Sequence, residues 1–231
     1  MHQKRLSAKE IYPIKKKVKE RFVVRPRPGS HSKEDSIPLL SLVRDVLGYC
    51  ENAREGRHII KSGMILVDGK IRKDHKYTVG IFDVITIPQI GKSFRVVPGE
   101  KWLKLIKIED KELKLCRIKN KTVIRGGKIQ LNLHDGKNLI VKSGQYKTGD
   151  SLLLNLDKLE IKKHIKREKD SLCLVTRGGS KGKVGKINKI KKSIGSTSNM
   201  ASIEISQKTF DIPENFVFVI GDKSPVIKIS D

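Results

Sequence analysis

Between Ser36 and Pro88 the apolar positions change period twice. Leu39, Leu42, Val43, Val46 and Leu47 recur at i, i+3, i+4, i+7 and i+8, the single stripe of an amphipathic helix. Ser36 is the expected cap, Pro38 suits the first turn and Gly48 suits the exit. Asn52 followed three residues later by Glu55 reads as a capping box for a second helix running to Ser62 and ending at Gly63. Ile59 and Ile60 are expected to face inward. Arg54, Arg57 and Lys61, at i, i+3 and i+7, share the opposite face. The period then becomes two, with Ile65 and Val67 alternating with Met64, Leu66 and Asp68. Asp68-Gly69 is a hairpin signal, because a type I′ turn needs positive φ at both central residues. Lys70, Arg72 and Lys73 leave that turn beside the basic helix, and Val84–Ile87 forms another strand before Pro88.

The remainder of the chain is strand-like, apart from its start. Ile129, Leu131 and Leu133 alternate with Gln130 and Asn132; His134-Asp135-Gly136-Lys137 turns the chain into Leu139 and Val141; Leu152, Leu154 and Leu156 repeat the period. Short strands with glycine-bearing turns from about Glu100 to Ile161 predict a small barrel or sandwich. The lone Trp102 reads as a core or interdomain anchor. Leu172–Val175 is a buried-strand run. After a polar loop at 193–200, strands are expected around Ile203–Ile205, Phe210 and Phe216–Ile220, with a last one over Val226, Ile227 and Ile229. Residues 1–35 have no convincing period. Their apolar residues are sparse, and Pro26, Pro28 and Gly29 break any helix. A basic arm, poorly ordered until it meets its partner, is expected there.

Charge decides what such a chain is for. Its 231 residues carry 50 Lys/Arg against 25 Asp/Glu, a net +25, with a pI near 10.0. A compact chain so charged repels itself unless a polyanion is near, which points to nucleic acid, with an anionic membrane surface as the alternative. Residues 1–33 hold a net +9 and residues 161–192 a net +10, so two stretches carry 19 of the 25 charges and leave +6 elsewhere. That clustering is an electrostatic footprint. Aromatics at 5% argue against base stacking as the main mode. No apolar run approaches the ~18 residues of a spanning helix, and no apolar core follows the basic start, so neither a membrane span nor a secretory signal is expected. Cys50, Cys116 and Cys173 lie far apart and read as buried thiols of a reducing compartment.

Chemistry is not expected. There is no C-x-x-C pair and no His-Glu-x-x-His, so no metal site or cofactor is predicted. His2, His31, His58, His75, His134 and His164 are scattered, and a lone histidine in so basic a chain is expected to meet phosphate or solvent. The segment Arg177-Gly178-Gly179-Ser180-Lys181-Gly182-Lys183-Val184-Gly185-Lys186-Ile187 invites a P-loop reading. It fails because Arg177 stands where the first Gly belongs and Val184 where the Mg²⁺-binding Ser or Thr belongs.

The order helix, basic helix, Gly63-x-Ile65-x-Val67-Asp68-Gly69, then Asp83-Val84-Ile85-x-Ile87, resembles the S-four RNA-binding fold of ribosomal proteins, pseudouridine synthases and tyrosyl-tRNA synthetases. The Arg177–Ile187 segment resembles the KOW motif of SH3-like barrels, in which Gly182 and Gly185 would allow close backbone approach and positive φ. Taken with Arg25-Pro26-x-Pro28-Gly29-x-His31 and with Asn215–Gly221, this order of modules resembles the S-four-e family of archaeal and eukaryotic small-subunit ribosomal proteins. The end at Ile229-Ser230-Asp231, without a basic tail, points to the archaeal branch. The resemblance implies an α+β, mostly β protein: a basic N-terminal arm (1–35), an S-four-like unit of two helices plus strands (36–99), a central small β domain (100–168) and a KOW/SH3-like barrel with C-terminal strands (169–231). It implies no catalysis, since a pseudouridine synthase would need a further large domain with a nucleophilic Asp. Small-subunit ribosomal RNA and neighbouring ribosomal proteins are the expected partners, with no membrane and no homo-oligomer, in the cytoplasm. The alternative is a ribosome- or transcription-associated RNA-binding factor that binds transiently. The expected RNA-binding residues are Lys15, Lys16, Lys17, Arg21, Arg25 and Arg27 in the arm; Arg44, Arg54, Arg57, Lys61, Lys70, Arg72 and Lys73 in the S-four-like unit; and Arg177, Lys181, Lys183 and Lys186 in the glycine-rich segment.

Overall fold

The computed structural model describes residues 3–9, 11–14, 21–142, 144–193 and 198–229. Strands dominate, as expected, and the chain forms two compact units: Met1–Val97 with Lys101–Glu112, and Pro98–Glu100 with Leu113–Asp231.

The first unit begins with β1 (Gln3–Lys4) paired antiparallel to β2 (Phe22–Val23). Here the structure departs from the expected loose arm. Ile11, Tyr12 and Ile14 are buried, and Ile11 O accepts from Leu103 N at 3.3 Å. Residues 27–31 then follow the 74–83 segment. Arg27 N donates to Lys76 O (3.0 Å), Ser30 Oγ to Thr78 O (3.2 Å), and His31 Nε2 lies 2.9 Å from Asp83 Oδ1 in a fully buried pair. His31 therefore faces neither phosphate nor solvent. Its ring lies on Gly80 so closely that a Cβ there would come within 2.3 Å, and Asp83 is held from the other side by Gly80 N.

Ser36 does not cap a helix. It belongs to β3 (Ser36–Pro38), which pairs with β6 (Thr78–Gly80). The helix α1 (Leu39–Ser41) starts after Pro38, and its first amides find backbone carbonyls instead of a side chain: Leu39 N donates to Tyr77 O (2.9 Å) and Leu40 N to His75 O (3.0 Å). That satisfies the orphan N–H groups of the first turn without a cap residue. The helix widens to a π turn over Leu42–Val46, and Gly48, at φ +68°, takes the exit as expected. The second helix, α2 (Ala53–Lys61), has the expected cap: Asn52 Oδ1 accepts from Arg54 N and Glu55 N, both at 3.0 Å. β4 (Leu66–Val67) and β5 (Lys70–Ile71) form the hairpin, with Asp68 and Gly69 both at positive φ. β7 (Val84–Ile87), β8 (Lys92–Pro98) and β9 (Leu103–Ile108) complete a sheet ordered β5-β4-β7-β8-β9. Leu39, Leu42, Val43, Ile60 and Ile65, with Val67 and Val84 of the sheet itself, are all buried. Trp102, expected as a core or interdomain anchor, is 48% exposed and so is not buried in a core.

The second unit holds two five-stranded antiparallel sheets. The first contains β10 (Leu113–Val123), β11 (Ile129–Leu133), β12 (Asn138–Val141), β13 (Ser151–Asn155) and β14 (Ile161–Ile165), in the order β12-β11-β10-β13-β14. Its core is Cys116, Ile118, Leu131, Leu133, Leu139, Leu152 and Leu154, the inward set of the period-two pattern. The other contains β15 (Leu172–Val175), β16 (Val184–Lys191), β17 (Met200–Ile205), β18 (Lys208–Pro213) and β19 (Val217–Gly221), in the order β18-β17-β16-β15-β19. The strand expected over Val226–Ile229 does not form. The tight turn after Gly221 instead makes the bridge Gly221 to Pro225 and a bond from Val226 N to Ile220 O. The three cysteines are buried and form no disulfide, and burial pushes the Cys173 thiol up to about 12.

Candidate nucleic-acid interface

α2 begins at a firm cap and ends at Gly63, whose φ of +82° stops it. Ile60 anchors one face at 0% exposure, which turns Arg54, Arg57 and Lys61 outward, all exposed. These three cations line a surface groove together with Tyr49, Asn52 and His58. Glu55 is the acid on this face, and the cap holds it: its carboxylate accepts from Glu51 N (3.1 Å) and Asn52 Nδ2 (2.6 Å). Tyr49 was missed from sequence, and His58 was read there only as a scattered histidine meeting phosphate or solvent. Tyr49 stands just past the first helix's exit, and His58 shares the helical row of Arg54 and Lys61.

Neighbouring cations extend the patch. The Lys73 side chain passes over Gly63, so that a Cβ there would sit 3.8 Å from Lys73 Cε. Lys70 is exposed, while Arg72 is half-buried, its guanidinium 4.5 Å from the Tyr77 ring centre, a cation–π contact that fixes it on its own unit. Burial lowers the His75 pKa, and the nearby cations Lys76, Arg57 and Arg27 push it the same way against the raising pull of Asp74. The arm residue Arg27 thus lies on the same basic surface as α2, although its guanidinium is also 3.1 Å from Asp74. Arg21 and Arg25 are exposed. Arg44 differs from expectation: its guanidinium grips both oxygens of Asp45, at 2.8 and 3.1 Å, and its charge is spent locally. Lys15, Lys16 and Lys17 lie outside the described residues.

In the second unit the glycine-rich segment is a turn between β15 and β16. Gly182 has φ +79°, and a Cβ there would meet Gly99 C at 2.8 Å. Gly185 sits in β16, where a Cβ would meet Glu204 O at 2.5 Å. Both glycines are therefore required by close backbone approach, one of them also by positive φ. Lys183 and Lys186 are exposed, Lys181 half-buried, and Arg177 lies 5.7 Å from the Phe216 ring centre. The turn displays cations and, as the failed P-loop pattern implies, does not open a helix.

Among the described residues one cluster has metal-ligand types, Cys116, His134 and Asp135. The carboxylate of this cluster is already paired with an ammonium: Lys114 Nζ lies 2.8 Å from Asp135 Oδ2, with both side chains at most 1% exposed. Burial works to raise the Asp135 carboxyl, but Lys114, with His134 and Lys137, outweighs it and holds the group well below the usual carboxylate range. His134 Nδ1 accepts from Arg117 N (3.2 Å) and His164 Nε2 lies 2.8 Å from Asp150, so these histidines serve the fold.

Three family descriptions match the chain: "RS4NT (NUC023) domain" over residues 1–34, "S4 domain" over 39–85 and "Ribosomal family S4e" over 90–161. The small ribosomal subunit protein eS4 of Archaeoglobus fulgidus is 47% identical over 233 residues, covering 99% of this chain and 98% of that protein. Its counterpart from Methanocaldococcus jannaschii is 42% identical, covering 99% and 97%. The crystal structure of the 30S ribosomal protein S4e from Thermoplasma acidophilum matches with a TM-score of 0.71 at 32% identity, covering 81% of this chain and 96% of that one.

Proposed function

The chain belongs to the S4e family of ribosomal proteins, and from that premise we propose that it is a stoichiometric part of the small ribosomal subunit that binds the ribosomal RNA there and stabilises its folded shape. The family is one of structural proteins rather than enzymes. The observation that carries the RNA reading is the α2 groove: Arg54, Arg57 and Lys61 exposed together, with the face's acid held at the helix cap.

Phosphate neutralisation supplies the affinity. Each Lys or Arg that meets a phosphate releases condensed counterions, so about 6–10 contacts would lose roughly 10³–10⁵ in affinity between 50 and 200 mM salt. Folded RNA is read mostly by shape, because side chains cannot enter the deep A-form major groove. Arg54, Arg57, Lys61, Lys70 and Lys73 dock the first unit, with Arg21, Arg25 and Arg27 of the arm beside them. Arg177, Lys181, Lys183 and Lys186 dock the second. Neighbouring ribosomal proteins are the other partners, in a cytoplasmic ribosome, and the chain acts as a single copy without a membrane. High-salt sucrose gradients of cell extract test this. Retention in the small-subunit peak at one copy per subunit is expected, whereas a transient factor would wash off.

A further inference from the structure

The first sheet of the second unit has a face that neither its core nor its neighbouring sheet uses. Over its β13 side, the outward residues Leu115 and Leu153 are covered, and β19 packs against β10, β13 and β14. Beyond the bulge at Ile118/Asn120, β10 runs on through five consecutive exposed residues to a turn with Gly126 and Gly127 at positive φ. Paired residues of an antiparallel ladder share a face. The register Asn120↔Asn132, Thr122↔Gln130, with Gln130↔Ile140 and Asn132↔Asn138, therefore puts these six side chains on one outward surface. Lys121, one residue off, points to the other side and closes it by donating to Gly144 O (3.0 Å) and Tyr146 O (3.1 Å).

Two properties of this face do not fit a solvated sheet. Five of its six side chains are amides or a hydroxyl, linked by Gln130 Nε2 to Asn132 Oδ1 (2.8 Å) and Asn132 Nδ2 to Thr122 Oγ1 (3.3 Å), and the sixth, Ile140, is 63% exposed. The surrounding charge is of one sign. Residues 113–149 hold nine Lys/Arg against one acid, Asp135, which is buried on Lys114, a net of +8. Lys128 and Lys142, both exposed, extend the amide rows by alternation, and Lys119 and Arg125 stand exposed at the bulge and the turn.

We propose that this face is a second RNA contact, which takes the minor groove of a double-helical segment. It rests on the reading that the chain binds ribosomal RNA. Three strands span about 10 Å, a flat surface suited to a groove that is wide and shallow in A-form RNA. That groove presents ribose 2′-hydroxyls, donor and acceptor at once, together with base edges. Amides and a hydroxyl meet both roles with no charge, Ile140 packs on sugar, and the rim lysines reach the flanking phosphates.

The test uses the full chain and a triple variant, Asn120→Ala with Thr122→Ala and Asn138→Ala. All three are exposed, and no charge changes. The probes are transcribed small-subunit ribosomal RNA, and a duplex RNA against the DNA duplex of the same sequence. Three lost hydrogen bonds should weaken binding to the ribosomal RNA roughly tenfold. The slope of log affinity against log salt should stay unchanged, because no counterion contact is removed. The wild-type preference for the RNA duplex over the DNA duplex should shrink. Asn120→Asp, nearly isosteric, should weaken binding through repulsion if the triple variant proves unstable. Wild-type affinity in both variants overturns the proposal, as does wild-type RNA affinity combined with poor retention in subunits, which would make the face a protein contact. Neither result touches the ribosomal RNA reading, which fails only if the wild-type chain itself does not bind.

Discussion

Two basic stretches, the N-terminal arm and the segment 113–149 built on the β10–β11 hairpin and β12, carry similar charge and have opposite structures. Residues 1–33 hold a net +9 with no period, yet Ile11, Tyr12, Ile14, Val23 and His31 are buried in the first unit. Residues 113–149 hold +8 in a regular β pattern, yet the strand ends run out into solvent, with Val123 72% exposed. Periodicity therefore locates a strand but not its burial. A few well-placed apolar residues can seat a chain that has no period at all. For RNA binding the consequence is that the arm brings its cations to a fixed surface, while the hairpin brings a rigid face of its own.

The comparison is broken most forcefully at the root of the hairpin. Lys114→Ala removes the buried partner of Asp135, leaving it only the partly exposed Lys137 ammonium at 3.3 Å, and should cost up to about 3–5 kcal/mol, read as a lower denaturant midpoint at unchanged slope. In the arm, Tyr12→Ala removes an aromatic side chain at 2% exposure and should cost about 3 kcal/mol or more. A loose arm would show no such loss. At the hairpin tip, Val123→Ala should change stability by less than about 0.5 kcal/mol in the same measurement.

Acid sharpens the same contrast. The folded Asp135 carboxyl lies well below the value near 3.9 of an unfolded aspartate, so its contribution to stability is complete above about pH 4 and is lost as pH falls toward the depressed folded value. Thermal unfolding followed from pH 5 to pH 2 should fall more steeply in the wild type than in Lys114→Met, where the foremost of the cations that lower the carboxyl is gone and only His134 and Lys137 remain. Parallel curves would show that the buried pair does not couple to folding.

Much of the candidate site was legible. Asn52, Glu55 and Gly63 set the limits of α2, and its 3.6 period placed Arg54, Arg57 and Lys61 outward. Asp68-Gly69 fixed the hairpin, because few residues take two positive φ angles in succession. What sequence did not show depends on distant partners. Ser36 reads as a cap until Thr78–Gly80 pairs with it and the 75–77 carbonyls take over the helix amides. His31 reads as a histidine that meets phosphate or solvent until Asp83 and Gly80 enclose it. Arg44 reads as a docking cation, but the adjacent Asp45 takes its guanidinium. The hairpin's charge was countable from the start, but it is spread over alternating strands rather than gathered in a run.

The most direct measurement is the salt dependence of binding between the full chain and transcribed small-subunit ribosomal RNA, for the wild type, for Arg54→Ala with Arg57→Ala, and for Lys128→Ala. Removing two phosphate contacts from α2 should lower the slope by about 2 and weaken binding more than the loss of Lys128, which should lower it by about 1. An α2 double variant that keeps the wild-type slope and affinity would contradict the assignment of that groove to RNA.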